Sequence, residues 1–305
     1  MSTADIASQP QGGEAGRAAS DRPGRRAGLA SVGPWLRLLR SELGLVFLRR
    51  RNLALLAVLA AIPVILGIVL RVSSPQTGAG GGGPAFLGQV TGNGVFLAFL
   101  ALVVELTLIL PLAVAVVAGD SIAGEAGRGT LRYLLAVPAG RTRLLGIKFA
   151  AVVAFCLGAC LLVAAVAVAV GGILFPVRPV TLLSGTTIPL AAGLLRLLFV
   201  AGYIAAAMAA LGAVGVAIST FTEHAIGAIA AVLVIAVASE VTDNVSQLAA
   251  VHPYLPTHWW LSFDALLRSP VAWPDLAHGL LSFGVYAVIF CSVGWARFTT
   301  ADVTS

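Results

Sequence analysis

Two places in this 305-residue chain hold side chains whose types and spacing could do chemistry. The first is the stretch 124–148, "GEAGRGTLRYLLAVPAGRTRLLGIK", in which Arg128, Arg132, Arg141, Arg143 and Lys148 follow a lone acid, Glu125. Leu131, Leu134 and Leu135 stand between them at i, i+3, i+4 and share one helical face. Such a surface suits recognition of another protein: the charges of Glu125, Arg128, Arg132 and Arg141, with Thr130, set encounter and register. Leu131 and Leu134 supply the buried anchor. Arg143 and Lys148, nearer the next apolar run, read as ordinary juxtamembrane cations. The second place is Glu105, an acid in the middle of an apolar run. At that depth an ionisable group costs about 2.5–3.5 kcal/mol on insertion scales and marks a pathway or a buried pair. Glu105 therefore either lines a cavity and meets a substrate or dimer partner, or hydrogen-bonds to a neighbouring helix.

Other chemistries lack their residues. The sequence contains no G-x-S-x-G, no H-E-x-x-H and no paired Asp, so an intramembrane enzyme has no motif to stand on. A phosphate-binding G-x-x-x-x-G-K-[ST] loop needs a Lys, and the one Lys here, Lys148, follows Ile147 and precedes Phe149. The glycines of "GAGGGGP" (78–84) have no Lys beside them and read as a linker. His252 and His258 stand without a carboxylate cluster and make a poor metal site. Cys156, Cys160 and Cys291 sit inside apolar runs with neither a disulfide framework nor metal spacing.

The elements that carry these residues follow from composition. The chain is 59% hydrophobic and 10% charged, with a mean hydropathy of +0.98. Soluble domains are about 45–50% apolar and about 25% charged, so the solvent for this chain is a bilayer. Its net charge of +6 is not a nucleic-acid signature. The cations cluster beside apolar runs, where anionic lipid attracts them, and no aromatic-interleaved basic patch is present.

Residues 1–33 are rich in Ala, Gly, Ser and Arg, lack aromatics, and read as a disordered tail. In 34–51, Trp35, Leu39, Leu43, Val46 and Phe47 fall on one face and Arg37, Arg40 and Arg51 on another. That pattern predicts an amphipathic helix on the membrane surface, or else a polar lead-in to the first span. Six apolar runs follow, at 52–71, 95–119, 146–174, 190–218, 225–239 and 276–298, within a membrane domain spanning 52–298. Pro111 is placed to kink the second. The turn "STFTEH" joins the fourth and fifth, and its Glu223 and His224 face water or a partner. Ala205, Ala209 and Ala213, with Gly202 and Ala206 on an adjoining stripe, give the fourth span small-residue faces for close packing.

Counting Arg and Lys sets the orientation: with the N-terminus inside, only Arg71, Arg178, Arg196 and Arg268 fall outside. Both termini, including the tail 299–305, are then cytoplasmic, and so is the loop 120–148. This loop is far longer than the few residues that usually join bundled helices. Asp120 and Glu125 open it, where acids suit a helix N-terminus, and Pro138 and Gly140 break its helix. The segment 240–275 lies outside; with Tyr254, Trp259 and Trp260 it predicts a helical hairpin dipping into the outer leaflet, or a loop resting on it.

The pattern E-x-x-x-GTLRYLLAVP-x-x-R-x-x-LL-x-x-K, with Glu125, Gly129, Thr130, Pro138, Arg141 and Lys148 in register, resembles the cytoplasmic loop of type-2 ATP-binding-cassette (ABC) exporter permeases. The likeness extends to the lead-in helix, the six spans and the segment "YLPTHWW" before span six. It implies an all-α integral membrane protein with six transmembrane helices and an N-terminal interfacial helix. It also implies a half-transporter in the cell membrane: two permease copies, homodimeric or heterodimeric, form the pathway. A separate ABC ATPase subunit docks on the loop and holds the ATP and Mg, and no cofactor binds this chain. The ATPase-coupling residues on this reading are Glu125, Arg128, Gly129, Thr130, Leu131, Arg132, Leu134, Pro138 and Arg141, and Glu105 is the pathway candidate. The apolar spans favour a hydrophobic or amphiphilic cargo, with membrane lipids as neighbours. A membrane anchor or mechanical transmitter that serves an ATPase without moving solute has the same sequence features.

Overall fold

Runs of Leu, Val, Ala and Ile about twenty residues long satisfy their backbone polar groups inside hydrocarbon only as helices, and helices dominate the chain. The structure is a computed structural model that describes residues 32–73, 93–127 and 141–300. Helix α1 (Val32–Leu48) is followed after one residue by α2 (Arg50–Ser73). The second apolar run forms two pieces, α3 (Phe96–Thr107) and α4 (Ile109–Gly119), and a short α5 (Ala123–Ala126) comes next. Then come α6 (Arg141–Leu174), a two-residue strand pair β1 (Val180–Thr181) and β2 (Thr187–Ile188), α7 (Leu190–Ser219), α8 (Ala225–Asp243) and α9 (Trp273–Thr300). Five of the helices are long and apolar enough to cross a membrane, and the bent pair α3–α4 makes a sixth crossing if it is one span.

The break in that pair has a local cause. Pro111 has no N–H to give the carbonyl of Thr107, so the helical ladder is interrupted there. The axis turns by 55° about Leu108, whose carbonyl accepts instead from the amide of Leu112 at 3.0 Å. The kink expected from Pro111 thus lies one turn upstream of it.

Leu38–Ser305 form one compact unit. Its centre is α7, which packs against α6, α4, α8 and α9. Close approach needs residues without bulk: a Cβ on Gly215 would press on the side chain of Ala118 in α4, and one on Gly212 would press on Val152 in α6. Of the small residues expected to give this helix close-packing faces, Ala205 and Ala213 are buried, whereas Gly202 faces open space. Gly94 and Gly171 meet backbone to backbone at the other end of α6, where neither leaves room for a side chain. The second half of α1 is held on α6 by Phe47, whose ring lies 6.1 Å from that of Phe155 and covers Gly158.

At 34 residues, α6 is about 50 Å long, well beyond a hydrocarbon thickness of about 30 Å. The helix itself therefore starts before the expected residue 146. Its first turns carry Arg143 and Lys148 at the same end of the bundle as Arg49, Arg50 and Arg51, hereafter the basic end.

At the opposite end, 240–275 is not a hairpin of α-helices. Beyond the end of α8 it is a chain of tight 3-10 turns at Ser246–Leu248, His252–Tyr254 and Trp260–Leu267. Two side chains of α7 hold it down: Arg196 donates to the carbonyls of Leu266 and Arg268, and Tyr203 donates to that of Trp259 at 2.8 Å. Trp260, expected among headgroups, is buried in protein instead, together with Phe263. Tyr254 stays 75% exposed.

Candidate functional site

The corner between α1 and α2 is built by Asn52. Its buried amide donates to the carbonyl of Val46 at 2.7 Å, satisfying a group that the end of α1 would leave open. That corner aims Arg49 and Arg51 at the turn after α4. Both guanidinium groups meet the same oxygen of Asp120, Arg49 Nη1 at 2.5 Å and Arg51 Nη2 at 3.0 Å from Oδ2. One turn on, Glu125 in α5 accepts from Lys148 of α6, Nζ to Oε1 2.6 Å. Glu42 of α1 stands 3.6 Å from the same Nζ.

Among the described residues these six groups balance: Arg49, Arg51 and Lys148 against Glu42, Asp120 and Glu125. All six line one small void of about 30 Å³. The side chain of Lys148 is only 3% exposed. Charge at such a depth is tolerated because each member has an opposite partner; removing one partner of a buried pair typically costs about 3–5 kcal/mol. The network ties together α1, the start of α2, the 120–127 turn and α6.

Lys148 is thus not an ordinary juxtamembrane cation; Glu125 lies in the first turn of α5 as expected, with Asp120 just before that helix, and both acids also serve as ion-pair acceptors. A sequence signal for this existed. Lys148 is the chain's one Lys, and on α6 it shares a face with Leu144, Leu145 and Val152, all buried. Glu42, Asp120, Arg49 and Arg51 gave no comparable sign, because their pairing is between distant segments.

Of the residues expected to contact a partner, Glu125 is in this network. Arg128, Gly129, Thr130, Leu131, Arg132, Leu134 and Pro138 lie outside the described residues. Arg141 opens α6. Beside the network lies a cleft of about 820 Å³, between the arginines of the α1–α2 corner and the first residues of α8. Glu223 and His224 of the α7–α8 turn are in its wall.

Glu105 is wholly buried, 0% exposed, and neither carboxylate oxygen has a hydrogen-bond partner among the described residues. It shares the inner face of α3 with Ala98, Ala101 and Leu102, whereas Val104 and Leu108 point outward. Across from it is α6, with Cys160 within electrostatic reach. It lies inside the protomer, and the hydrogen bond to a neighbouring helix expected of a packed acid is not made among the described residues.

At the far end, Asp243 at the end of α8 meets both histidines, His258 Nδ1 at 2.6 Å and His252 Nδ1 at 3.8 Å. His252 Nε2 is 3.1 Å from the carbonyl of Val245, and Trp259 stacks on His278. No group of three or more metal-ligating side chains in holding geometry occurs among the described residues.

A helical bundle with a broken second span, a basic end and an ion-paired turn defines a multi-pass membrane protein. Comparison with protein families gives the class a name: residues 45–239, well over half of the chain, match the family described as ABC-2 family transporter protein. The chain belongs to that family and is the permease subunit of an ABC transporter. The match takes in the α1–α2 corner, the 120–148 segment and most of α8. A comparison with curated proteins found no match.

Proposed function

We propose that this permease forms a translocation pathway with a second permease copy and is driven by a separate ABC ATPase that docks on the 120–148 loop and α1. The observation that carries this reading is the charge-balanced network of Lys148, Glu125, Glu42, Asp120, Arg49 and Arg51. Movement of the loop by nucleotide-driven closure would be delivered through Glu125 and Asp120 to α6, α1 and α2 at once, rather than lost in a slack connection. Two-state rearrangement of packed elements is the usual way such movement is amplified.

Arg128, Thr130, Leu131, Arg132, Leu134 and Arg141 are the contact residues on this reading, Gly129 and Pro138 shape the loop, and Glu125 anchors it from behind. ATP and Mg belong to the ATPase. The basic end faces the cytoplasm with both termini, since Arg and Lys concentrate there, and the host bilayer is the cell membrane. The cargo is hydrophobic or amphiphilic, consistent with a pathway bounded by apolar helices, and the direction is export.

Purification from native membranes in mild detergent tests the partner. A soluble ATPase is expected to accompany the wild type and to be lost from Leu131→Asp. Its absence from the wild type under several gentle conditions would remove the mechanism. Reconstitution into liposomes tests the pathway: ATP hydrolysis without movement of any amphiphile would leave a transmitter, not a transporter.

A further inference from the structure

The 820 Å³ cleft at the basic end shares Arg49, Arg51 and Asp120 with the ion-pair network and adds Arg50 and the start of α8. One wall is Arg49, Arg50 and Arg51; the other is the first turn of α8, Ala225, Ile226 and Gly227. Arg49 and Arg51 together are answered by the single charge of Asp120. Arg50 lines the cleft, is exposed, and makes no hydrogen bond or ion pair among the described residues. With Glu223 also in the wall, the charges in the cleft sum to one positive unit, three arginines against Asp120 and Glu223.

The opposite wall adds to the attraction. The first amide N–H groups of an α-helix lack intrahelical acceptors, and α8 begins after His224, whose side chain does not cap it. A helix of 19 residues places the positive end of its dipole there.

Depth decides what such a cleft would meet. Arg50 is the first residue of the α2 span and Ala225 the first of the α8 span, so both walls stand where hydrocarbon gives way to water. Below the arginines, Leu53 on α2 is exposed, and Ile226, itself in the cleft, is 82% exposed. A cavity with one net positive charge above and open apolar flanks below matches an anionic phospholipid: a phosphodiester with one negative charge over two acyl chains.

We infer that this cleft is a binding site for the headgroup phosphate of an anionic glycerophospholipid, with Arg50 as its principal contact. The lipid would wedge between the α1–α2 corner and α8, beside the turn that carries Asp120. The site does not depend on an ATPase.

Native mass spectrometry of the full chain in detergent tests this, with phosphatidylglycerol and phosphatidylcholine as probes and thermal unfolding as the fold control. Phosphatidylglycerol is expected to bind saturably at one per chain, phosphatidylcholine much more weakly. Arg50→Ala should weaken phosphatidylglycerol about fivefold, and Arg50→Glu should weaken it further, with unfolding temperatures unchanged. Equal retention of phosphatidylglycerol by wild type and Arg50→Glu overturns the site. Displacement of the lipid by inorganic phosphate at equal concentration overturns the lipid as occupant. So does loss of ATPase capture by Arg50→Glu with lipid binding intact, which would assign the cleft to a protein partner. Because the lipid measurement uses the permease alone, its failure leaves the coupling reading standing, and the reverse holds too.

Discussion

The ammonium of Lys148 lies 2.6 Å from Oε1 of Glu125, joining the buried start of a long helix to the turn that leads into the 128–140 segment. Their contact ties α5 to α6 on either side of residues 128–140. With Glu42 on the same ammonium, one cation holds three elements together: α1, α5 and α6.

Removing the cation is the first consequence to measure. Lys148→Met leaves Glu42 and Glu125 facing each other in a buried setting, and stability in detergent should fall by about 3–5 kcal/mol. Lys148→Arg keeps the charge and should recover much of that loss. An unfolding temperature for Lys148→Met equal to that of the wild type would deny the pair its structural role.

Asp120 behaves differently because its partners are half in water. Asp120→Asn frees Arg49 and Arg51, which are 32% and 44% exposed and can hydrate. The cost should be nearer about 1 kcal/mol, as for exposed pairs. The functional loss should be larger than the stability loss, with transport in the reconstituted complex falling while the unfolding temperature changes little. A fall in both by the same proportion would mark Asp120 as structural only.

Glu105 sets stability against function. A buried polar group without a hydrogen bond costs about 1–3 kcal/mol, so Glu105→Leu should raise the unfolding temperature. If the acid serves transport, the same variant should lose flux while gaining stability, and Glu105→Gln should fall between. A stabilised variant with wild-type flux would remove Glu105 from the pathway.

Pro111 should control the bend in the second crossing. Pro111→Ala restores an amide donor to the carbonyl of Thr107, and the 55° break at Leu108 should straighten. Spin labels on the exposed Val104 and the half-buried Leu112 would read the change as an altered distance distribution. An unchanged distribution would place the cause of the bend in tertiary packing instead.

The sequence was most legible where one element decides the outcome. Span positions followed from apolar runs, and the kink followed from one proline, because hydrocarbon leaves the backbone a single solution. Pairings between distant segments were not legible: nothing local ties Asp120 to Arg49, or Asp243 to His258. Trp260 misled for the same reason, since a tryptophan near a membrane surface suits headgroups and protein interior equally well. Lys148 stood between the two cases: its solitary place on a buried helix face was a sign, but its partners were in other segments.

The central claim is that the Lys148–Glu125 pair transmits work from an ATPase to the membrane helices. Its most direct test is flux per ATP hydrolysed in liposomes carrying the complete complex, compared among wild type, Lys148→Glu, Glu125→Lys and the double exchange. The account predicts that each single change keeps ATP hydrolysis but loses flux, and that the double exchange restores a large part of it. Single variants that fold, hydrolyse ATP and transport as well as the wild type would contradict it.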